Sequence, residues 1–192
     1  MNKNILLCGV GGQGTVLSSK LLSAAAVKHD IPVHSAETIG MAQRGGSVVS
    51  HLRLGEGVYS PLIGRGSADL ILGFEPCETV RMLSFLKRGG RVVVSDRVVM
   101  PVGASLTGAS IDGGEMLRFI RSKVDGAFII DSDRAIGALG SIKSLNMVLL
   151  GAAITHGDLS LGLDWVMDAI RDNVKQQFVE KNIEALQYGA AL

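Results

Sequence analysis

The spacing of apolar positions changes repeatedly along the chain, and each change predicts a strand or a helix. An apolar run at residues 4–8 predicts a buried strand, and helical spacing over residues 14–28 predicts the first helix. Apolar or β-branched runs predict further strands at residues 31–36, 47–55, 68–74, 91–96 and 127–131. Helical spacing returns at residues 76–88, where Gly89-Gly90 is predicted to end the helix, and at residues 113–124, 133–139, 142–155 and 160–188, the last with one internal break.

This order of elements predicts the fold class. Strands that alternate with helices are typical of parallel βαβ units. We therefore expect an α/β fold with a doubly wound, mostly parallel, Rossmann-like sheet flanked by helices, and a helical C-terminal section packed onto it. No Pro/Gly/Ser-rich linker, repeat or low-complexity tract divides the sequence, so residues 1–192 are predicted to form a single domain.

Composition narrows the classes of function. The chain is 47% hydrophobic, which is typical of a packed globular core, and its net charge of +1 and 4% aromatic content argue against nucleic-acid binding. No apolar segment reaches the length of a membrane span, and no secretion signal is evident, so we expect a cytoplasmic protein without a membrane partner. Two cysteines cannot supply the four thiolates of an ordinary iron–sulfur cluster, and no metal-ligand spacing is present.

A glycine-rich turn follows the first predicted strand. Gly9, Gly11 and Gly14 satisfy the G-x-G-x-x-G pattern, which lets a backbone approach an anion closely at the start of a helix. Glu37 follows at about the place where NAD enzymes keep a ribose-binding acid. Two interpretations stay open, namely a phosphate or other anion site and a turn needed only for close helix–strand packing. The predicted cofactor-binding residues are Gly9, Gly11, Gly12, Gln13, Gly14 and Thr15.

The stretch 37–55, "ETIGMAQRGGSVVSHLRLG", interrupts the helix that a dinucleotide-binding domain would ordinarily place there. Arg44 offers a planar donor fork for phosphate or carboxylate, and Gln43 offers both a donor and an acceptor. The pattern favours a recognition loop over a solvated turn. The residues predicted to form this recognition loop are Glu37, Met41, Gln43, Arg44, Gly45 and Gly46.

Groups that could carry out catalysis are not evident. The four histidines stand in no recognisable catalytic constellation, and His51, within an alternating strand, is expected to be structural. Ser35 lacks the G-x-S-x-G elbow of a nucleophilic serine. We therefore predict no catalytic residue and no metal ligand on this chain.

Two glycine-rich stretches together carry a resemblance to a known family. The stretches "GVGGQGTVLSSKLLSAAAV" and "AETIGMAQRGGSVVSHLRLG" resemble the gamma-type domain of the 2-oxoacid:ferredoxin oxidoreductases, and most closely the separate beta subunits of the indolepyruvate enzymes. The similarity continues through "ADLILGFEPCETVRML", "NMVLLGAA" and "VEKNIEALQYG", and so covers essentially the whole chain.

The resemblance implies a reaction and a division of labour. In this family a 2-oxoacid is oxidatively decarboxylated, electrons pass to ferredoxin, and the acyl group passes to coenzyme A. Thiamine diphosphate, magnesium and iron–sulfur clusters are implied on a large partner subunit, with ferredoxin engaged through the complex. This chain lacks a matching G-D-G segment, since Gly157-Asp158-Leu159 and Asp112-Gly113-Gly114 do not fit it. It is therefore expected to bind no cofactor tightly. Its recognition loop, with Glu37, Met41, Gln43, Arg44, Gly45 and Gly46, is expected to face the partner or coenzyme A.

Two alternatives remain open. One is a self-sufficient Rossmann oxidoreductase that binds NAD or FAD through the glycine-rich turn. The other is an interaction module that has kept the turn but binds no ligand. In the absence of its partner, the chain is expected to be able to form a homodimer through the same surface.

Overall fold

The computed structural model describes residues 2–37, 45–100 and 112–192 of the chain. These ranges contain six strands and seven α-helices, with short 3₁₀ turns at Leu83–Phe85 and Ile142–Ser144. In chain order the elements are β1 Lys3–Val10, α1 Thr15–Val27, β2 Val33–Glu37, β3 Ser47–Leu54, β4 Ala68–Gly73, α2 Pro76–Met82, β5 Leu86–Ser95, α3 Gly113–Lys123, β6 Phe128–Ile130, α4 Ser132–Leu139, α5 Leu145–His156, α6 Leu163–Asn173 and α7 Gln176–Ala190.

The six strands form one sheet in the order β2-β3-β1-β4-β5-β6. Strands β1, β4, β5 and β6 pair in parallel, whereas β3 runs antiparallel to both β1 and β2. The β1-α1-β2 crossover thus skips one position in the sheet, and β3 fills it. The prediction of a mostly parallel α/β sheet is confirmed, with one antiparallel strand that it did not include.

Burial along the strands reflects these pairings. The last six residues of β1 and the last four of β4 are buried in unbroken runs, as expected for central parallel strands with helices on both faces. Strand β3 alternates between partly buried and buried residues, which is typical of an antiparallel strand packed mainly on one face. One core cluster packs side chains of the sheet against α1, α5, α6 and α7, and a second packs other side chains of the sheet against α3.

The predicted helix over residues 76–88 is wrong in its second half. Helix α2 ends at Met82 and, after a 3₁₀ turn, the chain enters β5 at Leu86. Ala68 pairs with Leu86 and Leu70 with Arg91, so four residues of β5 bulge out of the ladder between those pairs. Gly90 fits this bulge because a β-carbon there would lie 3.0 Å from the Ala68 carbonyl oxygen. The glycine pair that resembled a helix terminator therefore serves a strand irregularity.

The C-terminal helical section packs on the sheet through α5. Helices α5 and α7 cross closely, because a β-carbon at Gly151 would lie 2.0 Å from the Leu186 carbonyl oxygen, and one at Gly189 would lie 2.0 Å from that of Val148. The predicted break within residues 160–188 falls between α6 and α7. Among the described residues no single helix is long and apolar enough to cross a bilayer. One pair of helical segments in the described part of the chain, Ser132–Leu139 with Ile142–His156, is long and apolar enough when taken together, but the pair is bent by 113°.

Candidate functional site

The glycine-rich turn lies at the carboxyl end of β1 and opens α1. Gly12 and Gly14 have φ angles of 99° and 87°, in the left-handed region that glycine tolerates best. Gly14 is the residue before the helix, and no side chain caps the helix there. Among the described residues, the backbone N–H groups of the first three residues of α1 meet no hydrogen-bond acceptor. The turn thus presents free donors at the positive end of the helix dipole.

Gln13 holds this turn in place. Its Oε1 accepts a hydrogen bond from the Val10 backbone N–H at 2.7 Å, and its Nε2 donates to the Phe74 carbonyl oxygen at 2.9 Å. A β-carbon at Gly9 would lie 2.7 Å from both Gln13 Oε1 and the Phe74 β-carbon. Gly9 and Gln13 therefore tie the end of β1 to the end of β4. Their contacts agree with the packing interpretation, while Gly12 and Gly14 keep a face of the turn open.

The two glycine-rich stretches lie against each other. Gly11 donates its backbone N–H to the Gly46 carbonyl oxygen at 2.9 Å, and Gly45 has a φ angle of 83°. The antiparallel direction of β3 explains this contact, because the chain leaves β2 and enters β3 at the edge of the sheet where β1 ends. Of the other residues predicted for this loop, Met41, Gln43 and Arg44 lie outside the described residues.

Glu37 does not occupy the place of a ribose-binding acid. It ends β2 and pairs with Ser50 of β3, so β3 separates it from β1. In a dinucleotide-binding domain the acid ends the strand directly beside β1. Here Glu37 is two strand spacings from β1, about 10 Å in the plane of the sheet. This arrangement disfavours the NAD-binding alternative.

A cleft of about 230 Å³ opens beside the glycine-rich turn. One wall is formed by Gly12, Gln13 and Gly14, and the opposite wall by the start of α5 and the 3₁₀ turn before it. Its apolar lining residues are Phe74, Val99, Ile142, Leu145 and Leu149. Its remaining polar lining residues are Arg97, Lys143 and Asn146. The sequence did not identify these three polar residues.

Asn146 is the polar side chain buried deepest in the cleft. It is 9% exposed, and its Oδ1 accepts a hydrogen bond from the Met147 backbone N–H at 2.9 Å. Its Nδ2 meets no acceptor among the residues that the structure describes. A β-carbon at Gly14 would lie 2.5 Å from that Nδ2. The amide is thus held against the glycine-rich turn with donor capacity to spare.

Arg97 is positioned by a small network at the carboxyl end of β5. Its backbone N–H donates to Ser95 Oγ at 3.1 Å, and Ser95 Oγ lies 2.7 Å from Ser132 Oγ. The Ser132 backbone N–H in turn donates to Asp96 Oδ1 at 3.0 Å. The guanidinium lies 3.6 Å from Asp133 Oδ1, an exposed carboxylate, which is a loose ionic contact. Its charge is therefore available to the cleft.

Two buried acids link the start of β3 to α2. Glu75 caps α2 by accepting a hydrogen bond from the Glu78 backbone N–H at 2.9 Å, and burial raises the pKa of Glu75. Glu78 accepts from Ser47 Oγ at 2.6 Å and lies 3.2 Å from Arg81. Ser47 directly follows Gly46, so this network fixes where the second glycine-rich stretch meets the first.

The remaining candidate groups have structural roles. Burial raises the pKa of Cys8 to about 12, so this thiol stays protonated. His51 accepts a hydrogen bond on Nδ1 from the Ile63 backbone N–H at 3.1 Å, in agreement with the structural role predicted for it. Within the described ranges, no three His, Cys, Asp or Glu side chains are grouped to hold a metal ion. The backbone N–H groups and cationic side chains that line the cleft have the chemistry that suits an anion.

Comparisons with known proteins cover nearly the whole chain. A family model described as "Pyruvate ferredoxin/flavodoxin oxidoreductase" matches residues 4–192. Indolepyruvate oxidoreductase subunit IorB of Pyrococcus horikoshii is 35% identical, over 97% of this chain and 93% of its own. The subunit of that name from Methanothermobacter thermautotrophicus is also 35% identical, over 100% of this chain and 98% of its own.

Solved structures share the fold at lower identity. The gamma subunit of a keto/oxoacid ferredoxin oxidoreductase from Geobacter sulfurreducens superposes with a TM-score of 0.69 at 21% identity, covering 97% of this chain and 95% of that one. A 2-oxoglutarate:ferredoxin oxidoreductase from Magnetococcus marinus gives a TM-score of 0.72 at 20% identity. In that case 99% of this chain corresponds to only 30% of the larger chain, so the same fold also occurs as part of a longer polypeptide.

Proposed function

The chain belongs to the pyruvate ferredoxin/flavodoxin oxidoreductase family, and from this premise we propose that it is the small, non-thiamine-binding subunit of a 2-oxoacid:ferredoxin oxidoreductase. In the proposed reaction the bond between the carboxylate and oxo carbons breaks and carbon dioxide leaves. The two electrons pass one at a time to oxidised ferredoxin, and the acyl group forms a thioester with coenzyme A as the thiol loses its proton. The family match over residues 4–192 carries this assignment.

We propose indolepyruvate as the oxoacid. Four relatives named for indolepyruvate are 33–35% identical to this chain, whereas those named for 2-oxoglutarate or for pyruvate and ketoisovalerate are 25–26% identical. The higher identity extends across the full chain in each indolepyruvate relative. The pocket that selects the oxoacid is assigned to the partner subunit.

The catalytic cofactors are placed on a larger partner. Thiamine diphosphate with magnesium would there supply the stabilised carbanion chemistry of decarboxylation, and iron–sulfur clusters would supply electron transfer. This chain has two cysteines in all, and Cys8 is held as a neutral buried thiol. Free, unpaired cysteines also fit the cytoplasm as the proposed location.

The contribution of this chain is proposed to lie at the carboxyl edge of its sheet. There Gly11 to Gly14 and Met41 to Gly46 are assigned to face the partner and the phosphates of coenzyme A. Support comes from the Gly11–Gly46 hydrogen bond, which joins the two stretches, and from the free N–H groups of the first turn of α1. Both features suit a surface that binds anions and a second backbone.

Coexpression with a candidate large subunit that carries the thiamine and iron–sulfur motifs tests the assignment. We expect the two chains to copurify and to reduce ferredoxin with indolepyruvate and coenzyme A, and neither chain to do so alone. Pyruvate, 2-oxoglutarate and phenylpyruvate serve as competing substrates. Turnover by this chain alone, stoichiometric binding of NADH or FAD, or failure to copurify would each contradict the proposal. Light scattering of the isolated chain tests the homodimer expected without its partner.

A further inference from the structure

The connection between β3 and β4 presents two exposed apolar side chains. In the Tyr59 loop, defined as residues 55–67, Tyr59 is 96% exposed and Leu62 is 61% exposed. Because Leu54 at the end of β3 pairs with Lys3 at the start of β1, the loop leaves the sheet at its amino edge. The glycine-rich turn lies at the other end of β1, whose eight residues span about 25 Å. The loop is therefore remote from the cleft described above.

Side chains from the sheet hold the Tyr59 loop in one conformation. Arg53 of β3 donates from Nη1 to the Ser60 carbonyl oxygen at 2.9 Å, directly beside Tyr59. His51 of the same strand accepts on Nδ1 from the backbone N–H of Ile63, which is itself buried. A loop that is already fixed in this way loses little conformational entropy when a second protein binds it.

Arg53 is in turn held by the first strand. Its Nε donates to Asn4 Oδ1 at 2.8 Å, and Asn4 Nδ2 donates to the Ser67 carbonyl oxygen at 2.9 Å. The two side chains thus connect the centre of the Tyr59 loop to its last residue. Polar groups of β1 and β3 keep the loop ordered, while its most exposed side chain, Tyr59, lies in solvent.

The exposed patch of Tyr59 and Leu62 is too small to hold two copies of this chain together. Side chains of these sizes and exposures offer roughly 300 Å² of surface, so a two-fold contact between two patches would bury roughly 600 Å², whereas a stable specific interface buries at least about 1,200 Å². A patch of this size suits one contact within a larger interface that another surface secures. A larger subunit bound at the carboxyl edge can span the distance of about 25 Å to the amino edge.

We propose that the Tyr59 loop is a second docking point for the larger partner subunit, with Tyr59 and Leu62 filling an apolar pocket on that subunit. A tyrosine provides a large contact area and has few torsions to fix, which makes it a typical centre of binding energy. Arg53 is a positioning residue that acts through the Ser60 carbonyl. This inference rests on the proposed function for the identity of the partner, and goes beyond it by assigning a contact at the amino edge.

The dissociation constant of the complex between the full chain and the large subunit is the test. Tyr59→Ala should raise it more than about tenfold, without a change in thermal unfolding, because the exposed ring supports little packing within the chain. Arg53→Gln should raise it about threefold or more although Tyr59 is intact, and Arg53→Lys, which can still donate to the Ser60 carbonyl, should recover most of the loss. Phe178→Ala is the matched control, since it removes a 47% exposed aromatic ring from α7 and should bind within about twofold of the unmodified chain.

Nitration by tetranitromethane gives a second measurement that does not depend on affinity. In a Tyr188→Phe variant Tyr59 is the one tyrosine of the chain, and it should react at least about fivefold more slowly in the complex than in the isolated chain. Equal affinity of Tyr59→Ala and the unmodified chain, or equal nitration in both states, would overturn the docking point, and turnover by the unmodified complex would still support the proposed function. Self-association of the isolated chain that Tyr59→Ala abolishes would assign the loop to a second copy and overturn the partner. Failure of the two unmodified chains to pair would overturn both proposals.

Discussion

Gly14 and Asn146 pack so closely that a β-carbon at position 14 would collide with the Asn146 side chain. A β-carbon there would come within 2.5 Å of Asn146 Nδ2 and 3.0 Å of the Asn146 β-carbon, which cannot rotate away. The contact joins the start of α1 to the start of α5. It couples the glycine-rich turn to the C-terminal helical section, so the turn belongs to the core of the molecule as well as to its surface.

Replacement of Gly14 by alanine should therefore destabilise the protein for two reasons. The φ angle of 87° strains any residue with a side chain, and the new methyl group collides with Asn146. We expect a loss of about 2–4 kcal/mol in the free energy of unfolding, measured by urea denaturation. Gly12→Ala is the control, since its φ angle of 99° imposes strain but nothing lies within 4 Å of the new β-carbon. Equal losses in the two variants would refute the steric contribution.

The crossing of α5 and α7 should tolerate no side chain at Gly151. A β-carbon there would lie 2.0 Å from the Leu186 carbonyl oxygen, so the helices must separate to admit it. Gly151→Ala should lower the midpoint of thermal unfolding, with a loss of about 1–3 kcal/mol. Gly137→Ala in α4 is a matched helical control because its β-carbon meets nothing within 4 Å, and it should stabilise by about 0.5–1 kcal/mol. If both variants changed the free energy of unfolding in the same direction, the close packing of α5 against α7 at Gly151 would be contradicted.

The buried carboxyl of Glu75 should make stability depend on pH. Burial raises the pKa of Glu75 in the folded state, so the folded chain holds this proton more tightly than the unfolded chain does. The free energy of unfolding should therefore fall as pH rises from the ordinary carboxyl pKa, about 4.3, through the raised value.

Glu75→Gln isolates that dependence because the amide oxygen can still accept the hydrogen bond from the Glu78 backbone N–H. Urea denaturation of both proteins between pH 4 and pH 8 gives the measurement. The variant should gain stability relative to the unmodified chain as pH rises. A constant difference across the range would show that the Glu75 carboxyl titrates normally.

The two cysteines should differ in reactivity. Cys8 is buried in β1 and burial raises its pKa to about 12, whereas Cys77 is only partly buried at the start of α2. At pH 8 a thiol reagent such as dithiobis(nitrobenzoic acid) should modify at most one cysteine per folded chain, and Cys77→Ser should abolish the reaction. Full reactivity in denaturant confirms that both thiols are present. Rapid labelling of Cys8 in the folded Cys77→Ser variant would overturn its assignment as an inert core residue.

Much of the element order follows from local pattern, because buried strands and amphipathic helices leave distinct periods in a sequence. The position of β3 does not follow from it. The alternation in residues 47–54 indicates a half-buried strand, but a strand with that period can pair on either side of β1 and in either direction. The prediction that a helix continues to residue 88 was wrong for a related reason. Gly89-Gly90 follows that residue, and glycine is common both in strand bulges and at helix ends.

The candidate site was predicted in part. Gly9 to Gly14 stood out because glycines cluster there before a helix, and the structure places Gly46 in hydrogen-bond contact with Gly11. Arg97, Lys143 and Asn146 come from separate elements that only the folded sheet brings together. The position of Arg97 just after a predicted parallel strand was the one available signal, since such positions share the carboxyl edge with the glycine-rich turn.

The reversed direction of β3 has a further consequence for how proteins of this architecture can diverge. A helical crossover after β2 would carry the chain to the far side of the sheet, whereas β3 turns it back at once. The number and identity of the residues between Glu37 and Ser47 can therefore change without altering the register in which β3 pairs with β1 and β2.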